Sequence, residues 1–348
     1  MKNMSSLLFL AAISLHFVAA LSESCDKPSA VFAFGDCYLD SGNNNQFITI
    51  CRSDHKPYGL NLPGNVASGR PTDGELTADI LISGLGIKKQ LPAYLDPGLT
   101  DEDLLTGATF AFSCSGLDDL TARQASVPCL TKQFEYFKKA VERMQRKVGE
   151  KAAAQVLHDA LFFVSGGTHD MLNNFYMLPS KKLVSLPHFL SLMLGNVERI
   201  HSMGGMRIGV MGMPPIGCIP VDVTSNSIGV KRACVSQHNS DAQDYNSQLK
   251  ALTQSLQVSL SGTKIVYVDI YTPMMDIINN PKKFGMEKTI EGCCGTGLVE
   301  MGPLCNQHSN VCKNPSKYVF WDAVHPSKAT NMLLAKYIKH KALPDLLS

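Results

Sequence analysis

Short apolar runs alternate with amphipathic segments along the chain. The runs are rich in β-branched and aromatic residues, which favour strands, and lie at 30–34, 109–112, 160–164, 207–211 and 264–270. In two of the segments between them, apolar residues step by three or four, from Phe134 to Val148 and from Tyr245 to Leu260, as on one face of a helix. Strands separated by helices predict a parallel sheet covered on both faces. Functional side chains on such a sheet are expected where the strands end.

The first twenty residues have the pattern of a cleaved secretory signal. Lys2 precedes an apolar run from Leu7 to Ala20, and small residues close it. The run is too short for a comfortable membrane span, and no later segment has ~20 uninterrupted apolar residues. We therefore expect 1–20 to be removed and 21–348 to form a single domain without an integral membrane segment. The alternative is that the run forms an ordinary buried N-terminal helix.

Charge and cysteine content narrow the class of protein. The 348 residues include 32 basic and 30 acidic ones, a formal net charge of +2, which leaves no excess for binding nucleic acid. The 11 cysteines cannot all pair within one chain. Most are expected to form disulfides, because a secretory signal leads to an oxidising compartment. The expected location is extracellular, with the vacuole or the ER lumen as alternatives.

Four cysteines near the C-terminus could form a zinc cluster or two disulfides. Their spacing lacks a Cys-x-x-Cys pair, so two disulfides are expected in a secreted chain. Three pairings are possible, but neighbours are not expected to pair with each other, because so tight a ring is strained. Cys218 and Cys234 bracket a loop and are expected to pair. We expect no metal and no cofactor. The four cysteines are Cys293, Cys294, Cys305 and Cys312.

Four short blocks carry the candidate chemistry. In the last block, Asp322 and His325 are three residues apart, so the carboxylate could hold the imidazole while the other ring nitrogen faces a nucleophile. Taken alone, this spacing would also suit an aspartate that caps the final helix. The other three blocks follow predicted strands and read Gly35-Asp36-Cys37, Ser113-Cys114-Ser115-Gly116 and Gly167-Thr168-His169-Asp170.

Together the blocks resemble the plant GDSL esterase/lipase family, also called SGNH hydrolases. Further matches lie at 56–59, 69–74 and 214–218, so the resemblance spans nearly the whole mature chain. It implies a flavodoxin-like three-layer α/β/α sandwich with a central parallel sheet. It also implies a cofactor-free acyl hydrolase whose substrate is a small carboxylic ester or a lipid.

The resemblance implies a role for each block. In the family, a serine of the first block is the nucleophile, and the last block supplies the base, here His325, and the aspartate that orients it, here Asp322. The nucleophile's own N–H, a glycine N–H of the second block and an asparagine side chain of the third form the oxyanion hole. This chain has Cys37 at the nucleophile position and His169 at the asparagine position. If the oxyanion glycine of the family is the one that closes the second block, this chain retains it as Gly116. If it is an inner glycine of that block, Cys114 has replaced it.

These replacements leave two functions open. A thiolate is a good nucleophile, so a Cys37-His325-Asp322 triad could serve an acyl-ester hydrolase or an acyltransferase. Sulfur is larger than oxygen, however, and a misplacement of ~1 Å can cost ~100-fold in rate. A lost oxyanion donor costs about 10² to 10³ in turnover. We therefore expect a weak or inactive hydrolase with a binding or structural role, for which a protein partner is possible.

Two further arrangements would change this interpretation. The nucleophile could be displaced to Ser113 or Ser115. Alternatively, a disulfide between Cys37 and Cys114 would close the site.

Overall fold

The computed structural model describes residues 27–176, 186–227 and 231–348. The predicted secretory signal and Cys25 lie outside these residues. The strands are β1 (Val31–Phe34), β2 (Leu161–Val164), β3 (Arg207–Met211), β4 (Lys264–Val268), β5 (Lys288–Gly292) and β6 (Tyr318–Phe320). The α-helices are α1 (Thr77–Gly84), α2 (Asp101–Leu104), α3 (Asp119–Gln124), α4 (Leu130–Val148), α5 (Glu150–Asp159), α6 (Leu186–Ser202), α7 (Pro220–Asn226), α8 (Ser236–Ser259), α9 (Tyr271–Asn279), α10 (Lys328–Lys341) and α11 (Leu343–Leu347).

The central sheet is parallel and has the order β1-β2-β3-β4. These four strands confirm four of the five predicted ones, and α4 and α8 confirm the two predicted helices. The fifth run, 109–112, continues the sheet beyond β1, since the Phe110 amide donates to the Ala33 carbonyl at 2.7 Å. It forms isolated bridges rather than a regular strand, although the Phe112 amide also donates to the Gly35 carbonyl, at 3.0 Å. With this segment the sheet has the flavodoxin-like order 2-1-3-4-5.

Alternate residues of the buried strands face two different hydrophobic clusters. Phe32 and Phe34 pack in the larger one, with side chains of α4, α5, α6 and α8. Val31 and Ala33 point the other way, towards α1, α10 and α11. Because successive strand residues point to opposite faces, continuous apolar strands require helices on both sides. The result is the three-layer α/β/α arrangement.

A second, two-stranded parallel sheet pairs β5 with β6. The sequence pattern did not predict it, since β5 alternates only weakly and β6 has three residues. This small sheet positions the last block, because the chain passes directly from β6 into the residues that contain Asp322 and His325.

The cysteines of the described residues form four disulfides. Three of them join cysteines that were predicted to form disulfides, and they settle the open pairing near the C-terminus: Cys293–Cys312, Cys294–Cys305 and Cys218–Cys234. The fourth, Cys51–Cys114, was not predicted. In the part of the chain that the structure describes, Cys37 and Cys129 are unpaired.

No helix within the described ranges is long and apolar enough to cross a membrane.

The aromatic core between β1 and α4 allows a test of this packing. Phe137 is fully buried and contacts the rings of Phe32, Phe34 and Phe162. Phe137→Ala would leave a cavity and lower the free energy of unfolding by about 3 kcal/mol or more, measured by urea denaturation. The control Val258→Ala, at a position 84% exposed, should change it by less than about 0.5 kcal/mol. Equal effects of the two substitutions would contradict the packing described.

Candidate active site

The turn after β1 depends on a glycine. Gly35 has φ +123°, and a Cβ there would lie 2.0 Å from the Ser165 carbonyl oxygen, where the chain leaves β2. The buried side chain of Gln133 binds this turn, accepting from the Gly35 amide at 2.7 Å and donating to the Gly35 carbonyl at 2.9 Å. The ends of β1 and β2 are thereby held against each other, and Cys37 follows two residues later.

A buried hydrogen bond joins the same two strand ends through side chains. The Ser165 hydroxyl donates to Asp36 Oδ1 at 2.6 Å, and the Tyr38 amide donates to the same oxygen at 3.2 Å. Burial raises the pKa of Asp36 to about 6, although both of these donors oppose the shift. These hydrogen bonds of Asp36 fix the backbone on both sides of Cys37.

Asp322 and His325 form the predicted pair. His325 Nδ1 lies 2.8 and 2.9 Å from the two Asp322 carboxylate oxygens, and both side chains are buried. Oδ1 also accepts from the His325 amide at 2.7 Å. With Nδ1 on the carboxylate, Nε2 is left to face a reacting group. In the described residues, Nε2 has no hydrogen-bond partner.

Tyr58 completes the support of Asp322. Its fully buried hydroxyl donates to Asp322 Oδ2 at 2.7 Å and accepts from the Gly302 amide at 2.8 Å. Each oxygen of the Asp322 carboxylate is therefore satisfied, which fixes its orientation towards His325.

Cys37 lies beside His325 without bonding to it. The two side chains line one small cavity of about 10 Å³. Because Nε2 of His325 is unpartnered, the described residues contain no thiol–imidazole hydrogen bond. Burial raises the pKa of the Cys37 thiol well above its usual range, and the nearby carboxylates of Asp36, Asp322 and Asp40 raise it further. The thiol is therefore held in its neutral form.

His169 is also buried and neutral. Burial first, and then the charge of His325, lowers the pKa of His169 to about 3. Its Nε2 makes no hydrogen bond to any described residue. The charge of His325 acts on His169, so the two imidazoles lie near each other.

In the second block, Cys114 and Gly116 occupy different environments. Cys114 has φ +64°, a conformation that favours glycine, and its sulfur is bonded to Cys51. The Cys37–Cys114 disulfide is therefore not formed. Gly116 packs against the Asp170 carboxylate, and a Cβ there would lie 2.5 Å from Oδ1. That carboxylate accepts from the Leu117 amide at 2.7 Å, which fixes the chain after Gly116.

Three residues with supporting contacts were not singled out from the sequence: Tyr58, Gln133 and Ser165. Tyr58 lies inside a segment that carries the family resemblance and Ser165 lies two residues before another, but nothing in the sequence shows which atoms they bond. Gln133 had a usable signal, since it is a polar residue between Leu130 and Phe134 on the buried face of α4. No group of three or more His, Cys, Asp and Glu side chains in the described residues could hold a metal ion.

Comparison with known proteins shows the family to which the chain belongs. The sequence pattern of the family described as GDSL-like Lipase/Acylhydrolase matches residues 31–338. The chain belongs to this family. Like the GDSL/SGNH proteins, it has a parallel central sheet between helical layers. The family suggests a small-molecule substrate.

Three relatives from Arabidopsis thaliana are similar to this chain over most of its length. GDSL esterase/lipase At2g40250 is 41% identical over 349 residues, covering 97% of this chain and 97% of the relative. GDSL esterase/lipase At2g31540 is 38% identical over 338 residues and covers 94% of each chain. GDSL esterase/lipase At1g06990 is 39% identical over 312 residues, covering 88% of this chain and 87% of the relative.

The support of Asp322 by Tyr58 can be tested through stability. Tyr58→Phe removes the hydroxyl and leaves the Gly302 amide without its buried partner, so we expect the free energy of unfolding to fall by about 1–3 kcal/mol. Urea denaturation measures this. Tyr136→Phe is the matched control: its hydroxyl makes no hydrogen bond within the described residues, and a change below about 0.5 kcal/mol is expected. A neutral Tyr58→Phe would argue against the buried hydrogen bonds.

The burial of His169 predicts a pH dependence. Between the ordinary pKa of 6.5 and the folded value of about 3, the unfolded chain binds a proton at this residue and the folded chain does not. Stability is therefore lost as the pH falls below 6.5. Wild type should lose about 2 kcal/mol more than His169→Asn between pH 6.5 and pH 4.5, measured by denaturation at each pH. Parallel pH profiles for the two proteins would show that His169 is not buried in the neutral form.

Proposed function

We propose that this chain is a secreted GDSL esterase/lipase-like protein that is weak or inactive as a hydrolase and acts by binding a small ester or lipid. The observation that carries the proposal is the state of Cys37, a buried thiol with a raised pKa and no hydrogen bond to His325. A protein partner is a second possible ligand class for such an inactive member.

The electrostatics of the site argue against an active thiol. The thiolate is the nucleophilic form of cysteine, and active cysteines are found next to positive groups that lower their pKa. Around Cys37 the charged neighbours are instead three carboxylates, those of Asp36, Asp322 and Asp40. Forming a thiolate there would place a fourth negative charge in a buried site, which is costly.

The oxyanion side supports the same conclusion. A neutral imidazole at His169 has one N–H donor, but its ring does not reproduce the shape of an asparagine amide. The backbone of Cys114 has a conformation that is usual for glycine, and its side chain is bonded to Cys51. Each lost donor would cost about 10² to 10³ in turnover.

Secretion is proposed from the sequence together with the cysteines. The four disulfides fit an oxidising compartment. The N-terminal apolar run would direct the chain into the secretory pathway, and its cleavage would leave a mature chain that begins at about residue 21. The extracellular space is favoured over the vacuole or the ER lumen.

A second candidate is an acyl-ester hydrolase or acyltransferase that uses a Cys37-His325-Asp322 triad. It is favoured by one observation: Cys37 and His325 line the same cavity while Asp322 holds the other nitrogen of the ring. Catalytic hydrogen bonds often tighten only when the substrate is bound, so the missing thiol–imidazole bond does not by itself exclude this candidate.

Hydrolysis of p-nitrophenyl acetate and butyrate separates the two candidates. On our proposal, wild type hydrolyses both esters close to the background rate, and Cys37→Ala changes nothing. The double variant Cys37→Ser/His169→Asn, which restores the serine and asparagine of the family, should be at least about tenfold faster than wild type, since one oxyanion donor alone is worth about 10² or more.

Cys129→Ala is the matched control, because Cys129 is the other cysteine that is unpaired in the described residues. Turnover by wild type that Cys37→Ala abolishes and Cys129→Ala preserves would overturn the proposal and establish the thiol enzyme. Circular dichroism of every variant verifies that it is folded.

A further inference from the structure

A groove of about 550 Å³ lies away from the Cys37 cavity, between α9 and the C-terminal half of α10. Its floor is apolar and is formed by Pro273, Ile277, Phe284 and Leu333. The volume lies in the range of sites for small organic ligands, which is about 300–1,000 Å³. Along α10 the groove extends from Leu333 to Lys341, about 12 Å of helix axis.

The rim of the groove is positively charged. Lys283, Lys336 and Lys341 line it together with a single carboxylate, Asp276. Asp276 is already paired with Lys283, 2.7 Å away. Lys336 and Lys341 are exposed, and the described residues offer them no ion pair. Two uncompensated cations therefore stand at the edge of an apolar floor.

The groove is separate from the candidate active site although both use α10. Asn331 lines the Cys37 cavity and Leu333 lines the groove. Side chains two residues apart on a helix do not face each other, so the two sites lie on different sides of α10. A ligand in the groove would therefore contact neither Cys37 nor His325.

We propose that this groove binds an anionic single-chain amphiphile, with its acyl chain on the apolar floor and its carboxylate head at the lysines of the rim. The floor favours an alkyl chain because its burial removes apolar surface from water. The head group must be an anion, because the rim carries three lysines against one carboxylate. The C-terminal end of a helix by itself repels anions, so binding depends on these lysines. This second site is independent of the function proposed for Cys37.

Isothermal titration calorimetry with dodecanoate below its micellar concentration tests the proposal. We expect saturable binding of one dodecanoate per chain and no comparable binding of dodecyltrimethylammonium, which has the same chain and the opposite charge. Lys336→Glu/Lys341→Glu should weaken dodecanoate binding at least about tenfold. Leu333→Trp, at a half-buried residue that lines the groove, enlarges the side chain without changing charge and should weaken binding as well.

Two controls locate the site. Lys339→Glu changes the charge of the same helix at an exposed residue that does not line the groove, and it should leave the affinity within about twofold. Cys37→Ala should bind dodecanoate as wild type does, whatever its effect on hydrolysis. The proposal is overturned if no saturable binding occurs or if the cationic amphiphile binds equally well. It is also overturned if Cys37→Ala abolishes binding while Lys336→Glu/Lys341→Glu does not. Thermal unfolding of each variant verifies its fold.

Discussion

The close approach of the ends of β1 and β2 is the constraint on which the site depends. A glycine at position 35 permits a contact with Ser165 that a side chain would prevent. Gln133 of α4 and the Ser165–Asp36 hydrogen bond then hold the two strand ends together. Cys37, two residues after Gly35, is placed by this junction and by its own packing in the hydrophobic cluster that includes side chains of α1 and α10.

The other half of the site is assembled from a different part of the molecule. Asp322 and His325 follow the small β5–β6 sheet, and Tyr58 reaches Asp322 from a loop more than two hundred residues earlier in the chain. The pair is fully supported by hydrogen bonds on the Asp322 side, whereas Nε2 of His325 is not used. An oriented imidazole thus lies next to a thiol whose pKa is raised by burial first and then by the nearby carboxylates.

Much of the fold was predictable because its strands are short, apolar and buried on both faces. The segment 109–112 was predicted as a strand for the same reason, but it joins the sheet only through isolated bridges, and its Ala111 amide donates to the Thr109 hydroxyl rather than to a neighbouring strand. Asp322 and His325 were predictable from their spacing. The support given by Tyr58 and Gln133 was not, because it depends on contacts between residues far apart in sequence. Cys114 was recognised as unusual, but its bond to Cys51 requires the loop geometry of the folded chain.

The burial of Cys37 has a consequence for the disulfides of the molecule. Thiols exchange with disulfides only when the sulfur is accessible. In the folded chain Cys37 is 2% exposed, so its thiol is withheld from exchange with the four disulfides of the described residues. The burial that makes the thiol unreactive towards a substrate therefore also protects the covalent framework of the molecule.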